Sequence, residues 1–212
     1  AVRENYMSRL NNTLRALSVV AVVSILAAGV ASAQQPPSLR ITGTIESVEG
    51  ADVTIKSDRL GVVKVNLTAD VAVFGVAKGT LADLKADAFI GVGAMPQADG
   101  SQRAIQVTVF APVQRGLGEG HRPWDRPNST MTNGAVADTV GSVDGPMLTV
   151  KYKGGEKKIL VPPEAVILAY AVGDKSELKP GAHVAIVRAL KKPDGSLEAN
   201  RINVGRGEVV PR

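Results

Sequence analysis

Four lysines and two lone histidines are the side chains whose types and spacing could do chemistry in this chain. Lys151, Lys153, Lys157 and Lys158 fall within one short stretch, KYKGGEKK. Read as a hairpin, its first arm puts Lys151 and Lys153 on one face with Tyr152 opposite. Such a ledge suits an anionic partner: a polysaccharide, a lipid headgroup or a nucleic acid. Lysines also keep an edge hairpin solvated and resistant to aggregation, so the same stretch fits a purely protective role. His121 sits among glycines and prolines, where nothing is expected to hold a metal or a general base rigidly. His183 alternates with Val184 and Ile186 and reads as a half-exposed strand residue.

Catalysis fails on inventory. There is no G-x-S-x-G elbow for a nucleophilic serine. Gly116-Leu117-Gly118-Glu119-Gly120 lacks the strand, the helix and the final spacing of a phosphate loop. Asp58, Asp70, Asp99, Asp144 and Asp194 fall in turns, where aspartate serves local hydrogen bonding. The expectation is a protein that is not an enzyme and needs no cofactor or metal.

Composition narrows the rest. The 212 residues include no cysteine, so disulfides, thiolate chemistry and a lipid-anchored cysteine are excluded. Aromatic residues make up only 3% of the chain, which weighs against the stacking platforms that single-stranded nucleic acid needs. The net charge is +5. Residues 39–111 carry seven basic and eight acidic side chains, and residues 135–212 carry twelve and nine, so the excess belongs to the second half.

Residues 7–33 read as a cleavable signal peptide: Arg9 and Arg15, an apolar run from Ala16 to Val30, then Ala31-Ser32-Ala33. The run is short of the roughly 20 residues a spanning helix requires. No transmembrane span is expected after cleavage, and the destination is the periplasm or the exterior. Residues 1–6 read as an over-extended start.

A duplication organises the remainder of the chain. Gly43–Ile55 (GTIESVEGADVTI) matches Asp138–Val150 (DTVGSVDGPMLTV), with Val136 and Val140 set against Ile41 and Ile45. Further landmarks match in order, among them Asp99-Gly100-Ser101 against Asp194-Gly195-Ser196. Each repeat gives five alternating strands with one helical turn between the third and fourth, capped in the first copy by Thr80. That order suits a small OB-like barrel, a closed form that leaves no sheet edge exposed. The fold expected is all-β: two tandem OB-like barrels at 39–111 and 135–205, joined by a mobile Pro/Gly linker at 112–134, with a loose tail from Arg206.

The motif at Gly43–Gly50, and the turn Leu178-Lys179-Pro180-Gly181 before Val184–Ile186, resemble a bacterial family of secreted proteins with repeated OB-like barrels, the domain of unknown function 5666. The first repeat departs at the turn, with Leu84-Lys85-Ala86-Asp87. The resemblance implies an exported protein with no agreed activity. The reading is a non-enzymatic binding or interaction protein of the cell envelope, its partner an envelope protein or an anionic ligand. The alternatives are a structural envelope-assembly module and a metal or small-ligand transport accessory. OB-type barrels bind ligands across strands two and three. Those outer positions are Thr54, Lys56, Lys64 and Asn66 in the first copy, and Thr149, Lys151, Lys158 and Leu160 in the second.

Overall fold

A computed structural model describes residues 37–211, and the signal segment at 7–33 and the start at 1–6 lie outside the described residues. The first half forms β1 (Ser38–Glu49), β2 (Asp52–Ser57), β3 (Gly61–Lys78), β4 (Phe89–Pro96) and β5 (Gln102–Val109). The second forms β6 (Gly120–Pro123), β7 (Thr130–Val140), β8 (Met147–Tyr152), β9 (Gly155–Leu160), β10 (Val166–Val172), β11 (His183–Lys191) and β12 (Leu197–Gly205). The only helical elements described are three single 3₁₀ turns, the first at Leu81–Asp83, where Thr80 and Asp83 form the cap. The described chain is therefore all-β, and its strands close an OB-like five-strand barrel.

Ring closure crosses the sequence repeats. The meander β1–β2–β3 is closed by β12, parallel to β3, and by β11, antiparallel to β1. The closing hairpin thus comes from the second half. The meander β7–β8–β9 is closed in turn by β5 and β4 of the first half. This second closure is slighter on its parallel side, where only Gln102↔Ile159 and Arg103↔Leu160 pair. The limits 39–111 and 135–205 mark units of sequence, and the rings run across them.

The interior follows the same exchange. Ile41, Ile45, Val53 and Ile55 pack with Val184, Ile186 and Ile202 in one core. Val136, Leu148, Val150 and Ile159 pack with Ile90, Val92 and Val107 in the other. Alternation sorts these side chains inward, and their burial drives each closure at about 25 cal/mol per Å² of apolar surface.

Between the rings lies β10, antiparallel to β3 and parallel to β5. In the second half Pro162-Pro163 interrupt the third strand, which resumes as β10; β3 has no proline and runs unbroken. The pairs Phe74↔Val172 and Lys78↔Leu168 flank Val76↔Tyr170 symmetrically. Val73 beside Ile202 corresponds to Ile167 beside Val107. A local two-fold axis therefore passes between Val76 and Tyr170.

Three expectations are corrected. Val140 does not take the place of Ile45. Ile45 pairs with Ile55 and Val136 pairs with Val150, so Val136 holds that place, Gly134 that of Gly43 and Thr132 that of Ile41. The cause is the turn: residues 50–51 join β1 to β2, whereas residues 141–146 join β7 to β8. Val140 and Val143 are accordingly exposed, at 59% and 103%. Backbone bonds confirm the register. Gly181 and Ala182 exchange bonds with Ile45, and Asp87 and Ala88 exchange the same bonds with Val136. Asp87 adopts the left-handed conformation (φ 65°) that Gly181 has at the matching position (φ 86°).

Residues 112–134 are not a mobile linker. They include a 3₁₀ turn at Pro112–Gln114, the strand β6 and the start of β7, with Gln114, Ser129, Thr132 and Asn133 buried. Asn133 Nδ2 donates to the Leu117 carbonyl at 2.9 Å, and Arg115 donates to the Asp87 carbonyl and carboxylate at 2.9 and 2.6 Å. The prolines and glycines here fix turns rather than loosen the chain.

The tail is not loose either, since Pro211 is buried and Arg206 grips Glu177 through two bonds of 2.9 and 2.8 Å. Arg206→Ala is expected to cost about 1 kcal/mol at neutral pH, a charge-assisted fork discounted for exposure. The bonds from Arg206 hold the Glu177 carboxyl below its ordinary value of 4.5. The pair's contribution is therefore complete above about pH 4.5 and lost as pH falls through the lower folded value. Melting curves at pH 7 and pH 3 check this: the gap between native and variant protein narrows at the lower pH.

Candidate functional site

The structure brings together two of the four lysines. Thr149 faces Lys158 across β8 and β9, and Lys151 faces Glu156. Leu148, Val150 and Ile159 point into the core, so Thr149, Lys151, Glu156 and Lys158 share the outer surface. Lys151 and Lys158 are diagonal neighbours there, within reach of one ligand. Lys153 has left the strand for the turn, where its backbone N–H donates to Glu119 Oε1 at 2.8 Å. It does not continue the face of Lys151. Lys157 pairs with Val150 and lies on the inward side, half-buried.

The first ring carries the same motif with a different outcome. Thr54 faces Lys64 as Thr149 faces Lys158, and Lys56 matches Lys151. Asp52 and Asn66 face each other at the positions taken by Met147 and Leu160 in the second ring. Lys64 Nζ lies 2.9 Å from Asp52 Oδ2, while Asn66 Nδ2 donates to Asp52 Oδ1 at 2.8 Å. The bonds from Asn66 and Lys64 lower the Asp52 carboxyl, and Asp52 raises the Lys64 ammonium. One lysine of the first ring is thus neutralised. Among the described residues neither Lys151 nor Lys158 forms an ion pair.

The histidines lie on different rings. His183 begins β11 and is exposed, its Nδ1 3.2 Å from Thr44 Oγ1. His121 is held on β6: Nδ1 is 2.8 Å from Thr132 Oγ1 and the ring stacks on Tyr152 at 6.3 Å between centroids. Burial, and then the charge of Lys157, keep His121 below its ordinary value of 6.5, so it is neutral at physiological pH. Turn aspartates have local work. Asp99 and Asp194 accept from the backbone and hydroxyl of Ser101 and Ser196, which lowers both carboxyls. Among the described residues no three His, Asp or Glu side chains are grouped to hold a metal ion, and no helix is long and apolar enough to cross a membrane.

Sequence reasoning missed one feature. An open groove of about 800 Å³ is lined by Pro96 and residues 121–130. The Trp124 ring fills the space a side chain at Gly93 would need, and the Arg126 guanidinium sits 5.8 Å from that ring. Asp125 pairs with Arg40 of β1 at 3.1 Å. The chain's single tryptophan, set between Pro123 and Pro127, was the one signal of order. No family model, curated protein or solved structure matches the chain.

Proposed function

We propose that this chain is an exported, non-enzymatic binding protein of the bacterial cell envelope that takes an anionic partner on the outer face of β8–β9. One observation carries the reading: where Asp52 neutralises Lys64 in the first ring, Met147 leaves Lys158 unopposed in the second. Two exposed ammonium groups beside a threonine hydroxyl, against the single carboxylate of Glu156 on the same face, can hold a phosphate, sulfate or carboxylate without catalysing anything. The signal-like residues 7–33 support the address. The resemblance to secreted OB-like barrels agrees with it.

Binding of a fluorescent sulfated dextran, with neutral dextran as control, tests the reading. Lys151→Glu/Lys158→Glu is expected to weaken binding roughly 10-fold or more at low salt, and native binding to fall as salt rises. Asp52→Asn, which frees Lys64, is expected to strengthen it. Equal binding by native protein and the lysine variant would overturn the assignment.

A further inference from the structure

We infer that this fold can take a second copy of the same chain as a further partner, each copy closing its rings with the other's hairpins. Each three-strand meander lacks two walls of its own barrel. The first ring takes Val184, Ile186 and Ile202 from the second half, and the second takes Ile90, Val92 and Val107 from the first. A half left alone would expose that apolar face and two unpaired strand edges.

The pairing pattern has the form of a dimer interface. In a two-fold contact, residue i meets j and j meets i. Phe74↔Val172 and Lys78↔Leu168 meet this condition about Val76↔Tyr170, within one chain. The ring registers obey the same operator: Ile41↔Ile186 matches Thr132↔Val92, and Gly43↔Val184 matches Gly134↔Ile90. Exchange between copies would therefore re-form every strand pair and both cores, with no new interface needed. Only concentration separates the two forms, and the segment joining β5 to β7 supplies it by keeping the partner half close.

That segment can be shortened beyond its reach. Val109 pairs with Ile90 and Thr130 with Ala94, so its ends lie two strands apart and four residues along β4. This is about 16 Å from the usual strand spacing and rise. Deleting residues 112–129 leaves three Cα–Cα steps, at most about 11 Å. One chain could then no longer complete the second ring with its own halves.

The deletion variant is expected to sediment at twice the monomer mass with the native β-type circular dichroism. A folded monomer would overturn the inference. Because the deletion also removes Trp124, a second experiment keeps the full segment and adds a protease site after Gly116, which is open to solvent. After cleavage of the folded protein the halves should stay together. When two differently labelled cleaved preparations are unfolded together and refolded, mixed particles should form. Halves that part after cleavage, or that refold as separate compact monomers, would sink the proposal.

Discussion

Gly43→Val and Gly134→Val are each expected to cost about 3 kcal/mol or more, a large part of a typical 5–15 kcal/mol of stability. A Cβ at Gly43 would fall on the Lys56 carbonyl oxygen, and a Cβ at Gly134 on that of Lys151. The obstacle is backbone of the neighbouring strand, so no side-chain rotation relieves it. Moving either strand would break the pairs Thr44↔Lys56 or Ala135↔Lys151, and with them the inward set of Ile45 and Val136. The two glycines hold matching places in the two rings, so the penalties should be similar. Gly141→Ala is the control, because nothing lies within 4 Å of its Cβ, and it should change stability by no more than about 0.5 kcal/mol. Urea melts of the three variants at pH 7 provide the numbers. A tolerated Gly134→Val would contradict the register assigned to β7.

Ile186→Ala is expected to cost about 3–4 kcal/mol, as for a fully buried aliphatic side chain whose removal leaves a cavity. Its context matters more than its size. Ile186 is fully buried and directly opposite Ile41, although 145 positions separate them in sequence. A double-mutant cycle between Ile41→Ala and Ile186→Ala should therefore show a coupling of roughly 1 kcal/mol. The cycle between Ile41→Ala and Val92→Ala should be additive within about 0.5 kcal/mol, since Val92 belongs to the other core. Barrels closed by their own hairpins would give the opposite pattern.

Local features were legible because local chemistry sets them. Alternation at Val53-Thr54-Ile55 and Val63-Lys64-Val65 marks β2 and β3, Thr80 caps its turn, and Asp99-Gly100 and Asp194-Gly195 turn their hairpins. The lysine hairpin was visible too, and so were Thr149, Lys151 and Lys158 as outer positions of strands two and three. The exchange was not visible. Val92 and Ile186 are both branched aliphatics on matching strands, so either hairpin would satisfy either meander. What decides is the course of the bridge, where β3 stays extended to Lys78 and carries the chain past its own ring. The shift in β7 was hidden for a related reason. Val140 and Val143 continue a plausible apolar pattern, and only the longer turn at 141–146 places them outside. In residues 112–134 the glycines and prolines suggested mobility, yet the groups that fix the segment, Asn133 to Leu117 and Arg115 to Asp87, act at long range.

The exchange proposed between copies depends on which hairpin closes which ring, and a cross-link reads that directly. The chain has no cysteine, so introduced pairs stand alone. Ser38 faces Leu190 across β1 and β11, at the 4.5–5.5 Å usual for opposed Cα atoms and within disulfide range. Met95 is the residue that corresponds to Leu190 in the first half, as Met95↔Arg103 and Leu190↔Glu198 show. Mild oxidation of the folded monomer should join Ser38→Cys to Leu190→Cys almost completely and leave Ser38→Cys/Met95→Cys reduced. A bond between positions 38 and 95, with 38 and 190 left free, would contradict the exchanged closure.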